Sequence, residues 1–143
     1  MRADSFIDTN ILVYSVDGSE ANAGKKHAGM ELLRSEDFGL SAQVMQEFYV
    51  TVTRKIEQPL TPDEALAYLD RFSVFPVVLT DTGLVAEAIR NSVKYQLSYW
   101  DGAILAAADR LGATTLYSED FNHGQKYGDV RVVNPFEDGE RIG

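Results

Sequence analysis

Short apolar runs with many β-branched and aromatic residues are separated along this chain by longer stretches in which apolar residues recur at helical spacing. The run Phe6-Ile7-Asp8 is typical of the end of a short buried strand, and Phe38-Gly39-Leu40 of another. Residues 74–79 predict a further strand, in which Pro76 indicates an edge position or an irregular start. The remaining β-rich stretches are Thr114–Tyr117 and Val130–Val133.

The longer stretches predict helices. Four of them have helical spacing or composition: Ala21–Ser35, Ala42 to about Ile56, Thr82 to about Tyr95, and Trp100–Ala108, which has a face of small residues and is ended by Gly112. The clearest helix start is Thr61-Pro62-Asp63-Glu64, where Thr61 caps the helix, Pro62 takes its first position and Glu64 reaches back to the cap. This helix extends to about Phe72.

Strands that alternate with helices in this way predict an α/β fold with a parallel sheet covered on both faces. We find no internal repeat, linker or low-complexity segment, and we expect residues 1–143 to form a single domain. In sheets of this kind, ligands bind beyond the carboxyl ends of the strands. The ends of the strands are therefore the place to search for chemistry.

Composition narrows the possible functions. The 143 residues include no cysteine, which excludes disulfides, thiolate chemistry and cysteine-based zinc sites. The absence of cysteine suits a reducing compartment, and we expect a cytoplasmic protein. Residues 1–16 contain Asp4 and Asp8 and no long apolar core, so neither a signal peptide nor a membrane span is predicted there. The net charge of −9 argues against non-specific binding of nucleic acid, but it describes an average field and leaves a local metal site possible.

Acidic residues stand at several predicted element ends. Asp8 ends the first strand, Asp101 opens the helix with small residues, and Asp120 follows the strand Thr114–Tyr117. Taken singly, Asp101 is an ordinary N-cap and Asp120 an ordinary turn residue. Asp8 is different, because a carboxylate among apolar residues must be paired, hydrogen-bonded or bound to a metal.

A fourth acid, Glu47, lies within the predicted helix that begins at Ala42, among apolar residues. Taken alone, it is a solvated helix residue or the partner of a basic residue such as Arg54. The topology raises a joint alternative, because the carboxyl edge of a parallel sheet brings residues at strand ends together. Like charges gathered there need a compensating cation or a proton. Oxygen ligands without histidine or cysteine favour Mg²⁺ or Mn²⁺, ions that promote hydrolysis of phosphodiesters.

The ordered set of motifs resembles the PIN-domain nucleases, and most closely the VapC-type toxins of bacterial toxin–antitoxin pairs. The motifs are Asp8-Thr9-Asn10, Glu47 in "MQEF", Asp101 in "SYWDGAI", Asp120 in "YSEDF" and the closing "VRVVNPF". The resemblance implies a three-layer α/β/α sandwich with a mostly parallel central sheet. It also implies a metal-dependent endoribonuclease, a cognate antitoxin as partner and a homodimer.

The resemblance also assigns roles to residues. Asp8, Glu47, Asp101 and Asp120 match the acidic quartet of the family, with Asp8 and Asp101 as direct ligands of Mg²⁺ or Mn²⁺. Glu47 and Asp120 would bind the ion through water or orient the attacking water. Residues that would position substrate or water are Thr9, Asn10 and Ser118. Two departures from the family pattern are Gly102, where alanine is commoner, and Glu119, which leaves open which of two adjacent acids faces the metal.

Other functions remain to be distinguished. A module that binds RNA or antitoxin without turnover is one alternative, and an acid-cluster phosphohydrolase or a phospho-acceptor on a similar fold is another. A phosphohydrolase of the haloacid-dehalogenase type requires an acid at position 10, which is Asn10, and a receiver requires acids just before Asp8, where Phe6 and Ile7 stand.

Several residues outside the quartet have two possible roles. His27 is expected on a charged helix face, whereas His123 in a glycine-containing loop either contacts substrate or serves the loop. The basic groups Lys25-Lys26, Arg54-Lys55, Arg90 and Lys94 are expected on solvated helix faces, where some could guide phosphate. The aromatic residues Tyr99, Trp100 and Phe121 flank the site as core, as rim or as surfaces for base stacking.

Overall fold

The computed structural model describes residues 1–137; the last six residues of the predicted domain, 138–143, lie outside the described residues. The helices are α1 (Thr9–Val16), α2 (Ala23–Ser35), α3 (Ala42–Arg54), α4 (Pro62–Phe72), α5 (Thr82–Tyr95) and α6 (Tyr99–Arg110). The strands are β1 (Ser5–Ile7), β2 (Phe38–Ser41), β3 (Val77–Val78), β4 (Thr115–Tyr117), β5 (Lys126–Tyr127) and β6 (Val130–Val133). One 3-10 turn, Glu20–Asn22, precedes α2.

The strands form one sheet in the order β3-β2-β1-β4-β6-β5. Neighbouring strands are parallel except β5, which pairs antiparallel with β6. Helices pack against this sheet and against one another, with α6 contacting both β2 and β6. The predicted three-layer α/β/α sandwich with a mostly parallel sheet is therefore confirmed.

Strands β1 and β2, which lie inside the sheet, are continuous apolar runs in the sequence because they are buried on both faces. Every residue of β1 and β2 is buried, as expected for parallel strands covered on both faces. The register pairs Ile7 of β1 with Tyr117 of β4. The residues that follow these two, Asp8 and Ser118, are therefore brought side by side at the carboxyl edge.

Two strands differ from the sequence prediction. The strand predicted over residues 74–79 is reduced to β3, because Val74 and Leu79 are 79% and 68% exposed and Pro76 offers only its carbonyl, which accepts from the Leu40 N–H. Strand β5 was not predicted, since two residues are too few to show a period.

The helix starts follow their capping residues. Thr61 and Glu64 form the predicted capping box of α4, with Pro62 at the first helical position. In α6, however, Ser98 is the N-cap and its Oγ accepts from the Asp101 N–H at 3.0 Å. The interpretation of Asp101 as an N-cap is therefore wrong, because Asp101 is the third residue of the helix.

Helices α5 and α6 approach each other closely at Gly102. A Cβ added there would collide with the Ala88 carbonyl oxygen and come within 3.1 Å of the Ser92 nitrogen. The Asn91 side chain donates to the Gly102 carbonyl at 3.1 Å. The glycine next to Asp101 thus has a packing role that its low helix propensity does not reveal.

Candidate active site

Asp8 occupies the corner where β1 ends and α1 begins. Its carboxylate is only 5% exposed, accepting from the Thr9 N–H at 2.8 Å and from the Ser118 hydroxyl at 2.7 Å. Burial raises the pKa of Asp8 to about 7, with smaller contributions from the charges of Asp120 and Glu47, while the two hydrogen bonds act in the opposite direction. Asp8 is both the N-cap of α1 and a carboxylate that is costly to ionise.

Glu47 faces Asp8 from α3. Its Oε1 accepts from the Thr9 hydroxyl at 2.6 Å and its Oε2 from the Gln43 amide at 3.2 Å. The interpretation of Glu47 as a solvated acid or a partner of Arg54 is therefore wrong, and no basic side chain within residues 1–137 forms an ion pair with it. Two neutral hydrogen-bond donors hold the carboxylate in place without cancelling its charge.

Asp101 lies in the first turn of α6, close enough to Glu47 for their charges to interact. The pKa of Asp101 is raised by partial burial and by the charge of Glu47, whereas its hydrogen bond with Ser98 lowers it. Because Ser98 caps the helix, the Asp101 carboxylate is not required for capping.

Asp120 stands in the segment that follows β4. Both of its carboxylate oxygens accept from the Asn10 amide at 3.1 Å, and its backbone N–H donates to the Ser118 hydroxyl at 3.1 Å. Burial raises the pKa of Asp120, and the charges of Asp101, Glu119 and Glu47 raise it further. This carboxylate therefore belongs electrostatically to the cluster.

Glu119 points elsewhere. Its carboxylate accepts from Lys25 and from the Tyr14 hydroxyl, both at 2.6 Å. The pKa of Lys25 is raised chiefly by this hydrogen bond to Glu119. Lys25 lies on α2 with its side chain 38% exposed, as expected for a solvated helix face, but its ammonium also forms an ion pair with Glu119 that the sequence did not predict. Of the two adjacent acids, Asp120 is the one held by Asn10 beside the other carboxylates.

The carboxylates of Asp8, Glu47, Asp101 and Asp120 thus form one electrostatic group, and Thr9, Asn10 and Ser118 provide its hydrogen bonds. The donor set consists of hard oxygens, which suit Mg²⁺ or Mn²⁺. In residues 1–137, no group of three or more histidine, aspartate or glutamate side chains is arranged so that it could hold a metal ion. The four carboxylates nevertheless fit a divalent cation in charge and donor chemistry.

The aromatic and histidine residues considered outside the acidic quartet have different surroundings. Phe121 is buried and packs edge-to-face on Tyr127, so it belongs to the core. Trp100 is exposed. The His123 imidazole accepts from the Asn134 N–H at 2.9 Å, which gives it a role in the loop structure. His27 and His123 both line a cavity of about 830 Å³ between α2 and β6.

Sequence reasoning missed three residues around the acids. Gln43 donates to Glu47, and Tyr14 and Lys25 hold Glu119. The spacing of Gln43 and Glu47, four residues apart on one helix, was a usable signal. No local signal connects Lys25 with Glu119, because 94 positions separate them.

A family model described as PIN domain matches residues 5–128, which include all four acids. No curated protein matches this sequence. Within residues 1–137, no helix combines the length and the apolar character that crossing a bilayer needs.

Several solved structures share the fold. A toxin–antitoxin complex from Klebsiella pneumoniae aligns with a TM-score of 0.70 and 18% identity, over 93% of this chain and 98% of that chain. VapC20 of Mycobacterium tuberculosis, a toxin that cleaves the sarcin–ricin loop, aligns with a TM-score of 0.67 and 20% identity, over 82% and 91%. VapBC2 from Rickettsia felis, bound to a DNA fragment from its promoter, aligns with a TM-score of 0.57 and 16% identity, over 90% and 96%.

At these identities the likeness establishes a common fold. The family model adds a match in sequence that extends from β1 to the turn after β5. The acids that converge at the carboxyl edge of the sheet lie inside that match. This chain belongs to the PIN-domain family.

Proposed function

We propose that this protein is a metal-dependent endoribonuclease and the toxin of a toxin–antitoxin pair. The observation that carries the proposal is the convergence of Asp8, Glu47, Asp101 and Asp120 at the carboxyl edge of the sheet, where burial and the negative charge of Glu47 raise the pKa values of the three aspartates. The one acid nearby that has a cationic partner, within residues 1–137, is Glu119. Uncompensated carboxylates at a sheet edge are costly to the fold, which favours a functional reason for keeping them.

Asp8 and Asp101 would hold Mg²⁺ or Mn²⁺ directly, and Glu47 and Asp120 would contact it through water or orient the attacking water. When bound, the ion would neutralise the cluster, polarise a phosphoryl oxygen and favour hydroxide at neutral pH. Hydrolysis by water would leave a 5′-phosphate on the RNA product.

Neighbouring side chains would position this chemistry. The Ser118 hydroxyl donates to Asp8 and accepts from the Asp120 backbone, so it sets the orientation of two acids at once. Thr9 fixes Glu47, and Asn10 fixes Asp120. A carboxylate oriented by hydrogen bonds loses less entropy when it binds a cation or a water.

The partners are an RNA substrate and a cognate antitoxin, and the protein would act as a homodimer in the cytoplasm. Support comes from the related folds, since the Klebsiella pneumoniae structure is a toxin–antitoxin complex and the Rickettsia felis structure is VapBC2 on its promoter DNA. A short open reading frame beside this gene would encode the antitoxin. Co-expression of the two should yield a stable complex in which cleavage of RNA is inhibited.

The nuclease is tested with purified protein, Mn²⁺ and a panel of single-stranded and structured RNAs. Cleavage is expected, and Asp8→Asn should abolish it. Asp109→Asn is the matched control, because Asp109 is an exposed acid on α6, away from the sheet edge. Cleavage that survives in Asp8→Asn would refute the assignment. Tight binding of RNA without product over hours would establish a binding module on the same fold instead.

A further inference from the structure

We propose that the cavity between α3 and the start of α6 binds an unpaired nucleobase of the RNA, next to the phosphate that is cut, with Trp100 as its stacking surface. The proposal rests on the nuclease function and names a subsite for its substrate. The cavity has a volume of about 340 Å³ and is lined by Glu47 of the acidic group as well as by Trp100. Pockets of this size hold small ligands.

The position of the cavity is fixed by a buried bridge. The amide nitrogen of Gln43 donates to the Glu47 carboxylate at 3.2 Å and to the Trp100 carbonyl at 3.3 Å. One side chain therefore ties the backbone that carries the indole to a carboxylate of the candidate active site. A base on Trp100 would have its own phosphate within reach of the acidic group.

Trp100 has the exposure that stacking needs. It is 62% exposed although it is the largest side chain type, and its ring meets Tyr99 nearly perpendicularly, with 4.9 Å between ring centroids and 84° between planes. Tyr99 thus braces the indole without stacking on it in parallel. A stacked base is worth enough in free energy to hold a single-stranded substrate, and the contact tolerates any base because each has a π face.

The other residues of the cavity match a nucleotide better than an apolar protein segment. Lys55 provides a cation in the wall of the cavity, and within residues 1–137 no acid forms an ion pair with it. Gln46 is exposed there, and its amide can pair with the edge of a base. Val50 adds an apolar surface that is 46% exposed. A flat ring, an amide and an ammonium together suit a base with its phosphate.

Because Trp100 is the only tryptophan, its fluorescence reports on the cavity directly. The Asp8→Asn protein with Mg²⁺ is titrated with single-stranded RNA oligonucleotides and with a duplex of the same length. We expect saturable quenching by the single strands and little by the duplex, whose bases are already stacked. Equal quenching by both, or none, would overturn the proposal.

Cleavage kinetics give an independent measurement. Trp100→Ala should raise KM for single-stranded RNA about 10-fold or more with a much smaller change in kcat, and Trp100→Phe should restore most of the loss. Tyr49→Ala is the matched control, since Tyr49 is an exposed aromatic on α3 that does not line the cavity. Lys55→Gln should lower the slope of log KM against log salt by about one. An unchanged KM in Trp100→Ala would overturn the proposal.

Three further outcomes separate this proposal from its alternatives. If wild-type protein cuts no RNA but single strands still quench Trp100, the proposed nuclease function is refuted and the proposed base-binding cavity is supported. If RNA is cut while quenching of Trp100 is absent and KM is unchanged in Trp100→Ala, the base-binding cavity is refuted and the nuclease function is supported. If Trp100→Ala lowers the molecular mass in light scattering and RNA does not quench the wild type, a second copy of the chain occupies the cavity and the pocket is refuted.

Discussion

Glu119 and Asp120 are consecutive acids that the fold places in opposite electrical surroundings. Glu119 lies against Lys25 and the Tyr14 hydroxyl, and the Lys25 ammonium also stands 4.7 Å from the centre of the Tyr14 ring. Within residues 1–137, the Asp120 carboxylate accepts only from the neutral Asn10 amide, while its backbone N–H donates to the Ser118 hydroxyl, and the charges of three other acids act on it. Glu119 has a cationic partner, whereas Asp120 has none within residues 1–137.

The contrast distinguishes an acid whose charge stabilises the fold from an acid whose charge costs stability. An ion pair that is partly shielded from water contributes modestly to stability. A carboxylate with like charges as neighbours costs stability until a cation binds. The position of a residue in the sequence does not separate these two cases, but the identity of its partners does.

The largest expected effect comes from removing one acid at a time. Asp120→Asn should lower kcat/KM for RNA cleavage by about 100-fold or more, because in the proposed function this carboxylate would act on the metal or the attacking water. Glu119→Gln should stay within a few-fold of wild type, since Glu119 faces Lys25. Initial rates with Mn²⁺ measure both, and the reverse ranking would show that Glu119 is the functional acid.

The cost of the uncompensated cluster should appear as a pH dependence of stability in the metal-free protein. The pKa of Asp8 is raised from 3.8 to about 7, so the folded state keeps a proton between these values that the unfolded chain has lost. The free energy of unfolding should therefore fall as pH rises from about 4 to about 7. Above that range, Asp8→Asn should be more stable than wild type by about 2 to 4 kcal/mol.

Urea unfolding in EDTA at pH 4 and pH 8 measures this difference. The two proteins should have similar stability at pH 4, because Asp8 is protonated in the folded state and a large fraction of the unfolded chains still carries that proton. A difference between them that does not grow with pH would contradict the assignment of the charge cost to Asp8. Added Mn²⁺ should stabilise wild type more than Asp8→Asn.

A smaller effect is expected at the hydroxyl that joins two acids of the cluster. Ser118→Ala removes the donor to Asp8 and the acceptor of the Asp120 N–H, and should lower the cleavage rate by about 10- to 100-fold. Ser15→Ala is the control, because the buried Ser15 hydroxyl bonds only within α1, to the Leu12 carbonyl. Equal rates for the two variants would show that Ser118 has no positioning role.

The smallest effect is expected from removing the ion pair between Lys25 and Glu119. The side chains of Lys25 and Glu119 are 38% and 23% exposed, and Lys25→Met should lower the free energy of unfolding by about 1 kcal/mol. Arg34→Met, which removes an exposed pair with Glu31, should cause no measurable change. Denaturant midpoints at low salt compare them. A stable Lys25→Met protein would show that Glu119 does not need its cation.

Much of the fold was predictable because each element carries its own signal. The capping box at Thr61 and the buried runs at Phe6 and Phe38 are local patterns, and they specify α4, β1 and β2. The strand at Val77 was overestimated because apolar residues around Pro76 are exposed, and exposure depends on what packs against the chain. Strand β5 exists only because β6 pairs with it, which no local pattern encodes.

The sequence singled out the acids of the candidate site but not the residues that contact them. Asp8 and Asp120 follow strands, Glu47 and Asp101 lie on two helices, and the parallel topology brings the strand ends to one edge. Whether Glu119 or Asp120 faces that edge depends on Lys25, which is far away in sequence. The cap at Ser98 was locally readable, because a serine three residues before an acid at a helix start is a recognised signature.

Because of the close contact at Gly102, α5 and α6 would have to be transferred together in a chimera between two related proteins. A methyl group on that glycine would meet the Ala88 carbonyl oxygen, so alanine at this position requires wider spacing between the two helices. A chimera that imports α6 alone from a relative with alanine would displace Asp101, which lies in the first turn of α6, from the other carboxylates. Importing both helices together would keep the residue at position 102 with the helix spacing that it requires. Chimeras joined at the loop before α5 should therefore fold, and chimeras joined at the loop before α6 should not.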